Sequence, residues 1–227
     1  MESVELWHVI YRGVDGRSIF ADDQDRARFV HDLFEFNNTV PAMEHKRTVR
    51  TPDKNVGRAT SHILERERIV DIHGWKLMKN HAHLILSERM EGGLSLFLRK
   101  MSGYGRYFNE RHERRGTLFE RTKKALIEQS AHFLYVLHYV HLNGLDDFPG
   151  AQNWRERDRG TIRNADAAFA HLLADKWSSI RDYCGEKNFP SILTKHLFET
   201  RPGEYKAELR SFMKGRASNE LTHLTLE

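Results

Sequence analysis

The chain has 227 residues, 39% of them hydrophobic and 30% charged, a balance that fits a soluble globular protein with a substantial core. No apolar run approaches the roughly 18 residues of a membrane span, and the opening MESVELWHVIYRG lacks the charged-then-apolar layout of a signal peptide. A lone cysteine, Cys184, excludes an intramolecular disulfide, so a reducing, cytoplasmic setting is the expectation.

Residues 5–13, ELWHVIYRG, alternate with β-branched and aromatic content and predict a strand. Asp15-Gly16 marks a turn. From Asp22, an N-cap candidate, the apolar residues Ala27, Phe29, Val30, Leu33, Phe34 and Phe36 predict an amphipathic helix whose acids sit at its positive end. Residues 38–66 hold Pro41, Pro52 and scattered charge, and read as an irregular insertion. The segments 67–78 and 81–87 predict a hairpin across Lys79-Asn80, with Lys76 beside His83 and His73 on the opposite, apolar face as a core histidine. After Gly92-Gly93 a helix runs through Leu94, Phe97, Leu98, Met101, Tyr104 and Phe108 toward Gly116. Residues 117–128 read as a strand, followed by a helix capped by Ser130 and stopped at Asn143-Gly144, then mostly helical sequence.

That order, strand–helix–hairpin–helix–strand–helix, predicts an α+β fold: an antiparallel β-sheet with helices packed on one face, ferredoxin-like, followed by a helical C-terminal extension. The expected division is a sheet-bearing unit over 1–143, including the insertion at 38–66, and an extension over 144–227. The histidines of Lys79-Asn80-His81-Ala82-His83-Leu84 lie at i and i+2 on one strand face. Two imidazoles so placed can converge on one ion, though two ligands alone do not complete a site. His8 sits on the first strand with no partner assignable from sequence.

Net charge is +4, but it is unevenly placed. Within 99–124, Arg99, Lys100, Arg106, Arg111, Arg114, Arg115, Arg121, Lys123 and Lys124 face only the acids Glu110, Glu113 and Glu120. A basic stripe on a near-neutral body suits a phosphate backbone. Charge clustering alone fits a solvated helix face equally well.

Taken together, WHVIYRG with RSIF and the Asp, Arg and Phe positions that follow it (7–29), GWKLMKNHAHLIL (74–86), GLSLFLRKMSGYGRYFNERHERRGTLF (93–119), YVLHYVHLN (135–143) and KWSSIRDYCGEK (176–187) resemble the bacterial single-tyrosine HUH transposases of the REP-associated type. The pattern differs at Asn143-Gly144, where that family has Asn-Pro, and at Glu120-Arg121-Thr122-Lys123, where a Gln-x-Arg-Tyr run is common. The resemblance implies cleavage and rejoining of single-stranded DNA near hairpins through a 5′-phosphotyrosine. It places the metal pair on His81 and His83, the nucleophile on Tyr139 and a third, amide ligand on Asn143. It also implies a divalent ion, Mg²⁺ or Mn²⁺, with Mn²⁺ better suited to imidazole. The expected partner is single-stranded DNA carrying a hairpin, with the protein a monomer or homodimer and no membrane involved.

The i, i+4 spacing independently sets Tyr139 and Asn143 on one helix face. Each residue has a plainer reading: Tyr139 a core aromatic, Asn143 an ordinary helix stop, His138 and His141 packing or surface residues. Tyr104 and Tyr107 are rival nucleophiles. A DNA-hairpin binding protein without catalysis is the alternative function.

Overall fold

The computed structural model describes residues 4–40, 67–127, 132–151, 154–155, 162, 164–198 and 200–214. Most of the expected insertion, and the Ser130 cap, lie outside them. No helix among these residues is long and apolar enough to cross a membrane.

The alternating N-terminal run forms β1 (Leu6–Arg12) and the Asp22 helix forms α1 (Asp23–Glu35). Asp22 caps α1 as expected, its carboxylate accepting from the amides of Gln24 and Asp25 at 2.9 and 3.1 Å. The hairpin is β2 (Val70–Leu77) and β3 (His81–Glu88), closed by the Met78 amide donating to the His81 carbonyl at 2.8 Å. The next helical run divides into α2 (Gly93–Met101) and α3 (Gly103–Arg111). The break falls at Ser102-Gly103, where a weak helix former and a glycine adjoin. Strand β4 is short, Lys123–Ile127, and Phe119 makes only an isolated bridge to Gly13. Then come α4 (Phe133–Leu142), α5 (Ala165–Ala174), α6 (Ile180–Tyr183) and α7 (Pro202–Met213).

The four strands are ordered β2-β3-β1-β4, every neighbour antiparallel, which is the ferredoxin-like arrangement. One face carries Val9, Tyr11, Ala82, Leu84 and Leu86, and packs against α1, α2 and α3. The other face, holding Leu6, Ile85 and Ile127, packs against α4, α5 and α7. Residues on both sides of position 143 build this second layer. Gly74 lets α4 come close: a Cβ there would stand 2.6 Å from Leu137 Cδ1 and 3.2 Å from Ile85 Cδ1.

The outer edge of β2 is also covered. The amide of Leu77 donates to the Trp177 carbonyl (2.9 Å), that of Ser179 to Trp75 (3.0 Å) and that of Thr194 to Ile72 (2.8 Å). A chain segment that satisfies an edge strand removes a template for unwanted pairing. His73 is a core histidine as expected, but on the other face. A bulge between Ile72 and Gly74 interrupts the alternation, and His73 turns to Ser87, Phe198 and His196.

Candidate active site

The two central strands place the histidines. In the β1–β3 register Arg12 faces His81, Ile10 faces His83 and His8 faces Ile85, so all six share one side of the sheet. Lys76 of β2 stands opposite His83, as the hairpin predicted. The His81 and His83 rings are 4.8 Å apart. His8 lies edge to edge with His83, the ring centres 5.3 Å apart and the planes nearly parallel, with its Nε2 3.0 Å from His83 Nδ1. His8 and His83 are fully buried and His81 nearly so.

Helix α4 crosses over this face and brings Tyr139 to the histidines. Its ring stands edge-on to His83 at 6.3 Å and to His8 at 6.0 Å. Trp154 packs on Tyr139 at 5.3 Å, and the Arg155 guanidinium lies 5.9 Å from the same ring. With 4% of its surface exposed, Tyr139 is covered by these two residues. Asn143 follows one turn later and is fully buried. Its amide nitrogen donates to the Tyr139 carbonyl at 2.9 Å, while its oxygen accepts from Arg155, which also pairs with Asp146. The structure therefore sets Asn143 beside Tyr139, with its oxygen turned to Arg155.

The rival tyrosines are on the wrong side of the sheet. Tyr104 is buried among α1 and α3 residues and donates its hydroxyl to the Ile19 carbonyl at 2.7 Å. Tyr107 joins the same layer, under Arg28, and burial raises its pKa. His138 and His141 are packing residues. His141 joins Tyr205 through Nδ1 and Ser179 through Nε2, and burial holds its pKa well below the usual value.

A divalent ion fits the donors of the histidine pair. Asn80 Oδ1 lies 2.7 Å from His81 Nδ1, and a carbonyl oxygen can only accept. In the neutral ring this contact places the His81 proton on Nδ1 and leaves the lone pair on Nε2. Among the described residues no group of three His, Cys, Asp or Glu side chains could hold an ion. Completion would fall to an amide, water or substrate oxygen. Lys76, almost wholly buried beside the pair, is neutralised by Asp175.

The basic stripe is divided by the fold. Arg111 is tied to Asp22 and Asp25, and this pairing draws the Asp22 carboxyl down to about 2. Lys100 donates to the carbonyls of Asn38 and Val40, and burial lowers its pKa. Arg114 is held by Asn109 Oδ1 at 2.7 Å and the Thr117 carbonyl at 2.9 Å, and Arg106 pairs with Glu110 at 2.9 Å. Arg99, Arg115, Arg121, Lys123 and Lys124 are exposed. Lys123 pairs with Ile10 and so lies on the histidine side of the sheet edge, whereas Lys124 covers Trp7 at 5.2 Å on the other. An open groove of about 540 Å³ between α3 and residues 116–122 lies away from the histidines, with Arg106 and Arg114 balanced there by Glu110 and Glu120.

Sequence reasoning left His8 without a partner, and named neither Arg12 nor the Trp154–Arg155 cover. Only the strand pairing could have revealed the first two; Trp154 and Arg155 lie beyond the helix they cover.

No protein-family model matches the chain, and no curated protein matches it. Among solved structures, the REP-associated tyrosine transposase bound to a REP hairpin is similar, with a TM-score of 0.46 and 8% identity over 89% of this chain and 92% of that one. Similarity at that level leaves function to this chain's own residues.

Proposed function

We propose that this protein is a metal-dependent strand transferase acting on single-stranded DNA next to a hairpin, with Tyr139 as nucleophile. The observation that carries the reading is the buried His81–His83 pair with the Tyr139 ring 6.3 Å from His83, delivered from a separate helix. The sequence resemblance to single-tyrosine HUH transposases supports it. A divalent ion, Mg²⁺ or Mn²⁺, held by His81 and His83 would polarise a phosphate oxygen and stabilise charge developing there. Free tyrosine, with a pKa near 10, is a weak nucleophile and gains from such help. The Tyr139 oxygen forms a bond to phosphorus, the bond to the 3′ oxygen breaks, and the phenolic proton leaves with it to give a 3′-hydroxyl. The phosphotyrosine keeps the bond energy, so the reverse step rejoins strands. Exposed Arg115, Arg121 and Lys123 supply charge for the DNA backbone. Arg155 places a cation at the Tyr139 ring, and it must move with Trp154 for a strand to reach the hydroxyl.

That cover favours one second reading, a DNA-hairpin binding protein without catalysis. One experiment separates them. A labelled single strand with a hairpin, incubated with Mn²⁺, is expected to leave a denaturation-resistant adduct on a peptide containing Tyr139. Tyr139→Phe should fold and bind the strand but form none, and His81→Ala should cut the yield by about 100-fold or more. Binding without any adduct from the unaltered protein would establish the second reading, and label on Tyr104 or Tyr107 would overturn the assignment of the nucleophile.

A further inference from the structure

His8 stands outside the expected ligand set, yet its ring lies edge to edge with that of His83 and is hydrogen-bonded to it. The two meet on a diagonal across β1 and β3, one pair removed from Ile10–His83, within the reach of ring side chains. The planes are 16° apart and the facing nitrogens, His8 Nε2 and His83 Nδ1, are 3.0 Å apart. A hydrogen bond between two neutral imidazoles contains a single proton, and its owner decides the chemistry of both rings. With the proton on His83 Nδ1, His83 Nε2 carries a lone pair. With it on His8 Nε2, His83 must hold its own proton on Nε2 and cannot bind a cation there. His81 meets the same requirement through the carbonyl oxygen of Asn80.

We propose that His8 is a positioning residue: its Nε2 accepts the Nδ1–H of His83, fixing the tautomer that presents His83 Nε2 to an ion shared with His81. The proposal rests on the metal-binding reading given above. Three observations carry it. The contact uses His8 Nε2 on His83, so that nitrogen is directed at the ligand and not at the ion. Both rings are fully buried, so bulk water does not replace the partner. β1 is bonded to β3 on one side and β4 on the other, which holds His8 in place. Such outer partners of metal-bound histidines set ring orientation and ligand basicity.

The test measures Mn²⁺ binding to the full chain, without DNA, from loss of the free-ion electron paramagnetic resonance signal. Unaltered protein, His8→Phe and His8→Gln are compared, with circular dichroism and thermal melts to check folding. Phenylalanine fills the space of the ring but cannot accept, and should weaken Mn²⁺ binding by about 10–100-fold. Glutamine places an amide oxygen close to the position of Nε2 and should restore affinity to within about threefold. In metal-free protein, imidazole ¹⁵N shifts should show His83 protonated at Nδ1. Phenylalanine binding Mn²⁺ as tightly as histidine, glutamine as weak as phenylalanine, or His83 protonated at Nε2 would each overturn the proposal. If His8→Phe fails to fold, the glutamine variant and the ¹⁵N spectrum decide. If the unaltered protein binds no Mn²⁺, the metal reading itself fails, while the spectrum still decides the role of His8.

Discussion

Lowering the pH from 7 toward 4.5 should unfold this protein, and two buried histidines set the magnitude. His73 lies between the Thr194 carbonyl and the Ser87 hydroxyl, each at 2.8 Å, with the rings of His196 and Phe198 against it. Burial lowers its pKa from 6.5 to about 4; the Thr194 bond and Asp71 oppose that shift, and His196 and Arg68 add to it. His138 sits on α4 against Tyr205 and Phe212, with His141 on the same helix, and burial lowers its pKa to about 3. Both folded-state values are depressed, so the unfolded chain takes up protons first. The contribution to stability is whole above pH 6.5 and is lost as pH falls toward those folded values. Each histidine costs about 1.4 kcal/mol per pH unit in that window, so at pH 4.5 the pair costs roughly 5 kcal/mol. That matches the lower end of ordinary domain stability. Asp22, held down to about 2, adds its loss only below the usual carboxylate range. Urea unfolding followed by tryptophan fluorescence, from about pH 7.5 to about pH 4.5, should show stability falling by at least about 2.7 kcal/mol per unit below pH 6, with the depressed His141 adding to the fall. His138→Phe should make that slope shallower by about 1.4 kcal/mol per unit. A flat profile, or an unchanged slope in His138→Phe, would refute the reasoning.

The divided basic stripe predicts two different phenotypes. Replacing Arg115, Arg121 and Lys123 together by alanine should weaken single-strand binding and reduce its log–log salt slope by about 0.7 per lost phosphate contact. Arg111→Ala should leave that slope alone and lower the melting temperature, because its charge serves Asp22 and Asp25; the reverse pattern would place the DNA on α3. Gly74→Val pushes a side chain into Leu137 and should cost about 1–3 kcal/mol, with adduct yield falling alongside the melting temperature. Normal yield in a destabilised variant would mean α4 need not dock on β2 to deliver Tyr139.

Local pattern made much of the fold legible. β1, α1 and the β2–β3 hairpin follow from alternation, an Asp cap and a two-residue turn, all of which act over a few residues. Lys76 beside His83 could be read for the same reason. The misses have both local and long-range causes. A single bulge residue turned His73 to the other face, because period-two alternation assumes an unbroken ladder. The helix break at Ser102 needed weighing of Ser-Gly against an apolar spacing that continues across it. The cover on the β2 edge, from residues 177–194, comes from about a hundred positions away and leaves no local signature. His8 could be placed on a strand but not beside His83, since that requires knowing that β1 pairs with β3.

The position of Tyr139 depends on far more than its own helix. Every residue of α4 except the partly buried Leu134 is buried, which would not hold for a helix on an open sheet. Leu137 docks against the notch at Gly74. His141 is bonded to Tyr205 of α7 and to Ser179, whose hydroxyl also accepts from the Trp75 amide at 2.9 Å. Asn143 is gripped by Arg155, and Trp154 lies on the Tyr139 ring. Three of these four restraints come from residues beyond 143. Without them the apolar surface of α4 would face water on the side away from the sheet, and the helix would lose the contacts that fix its rotation. The C-terminal part of the chain is thus what turns a helix carrying a tyrosine into one that aims it at His83. It also supplies the two side chains that cover the ring, so the same segment both builds the site and limits access to it.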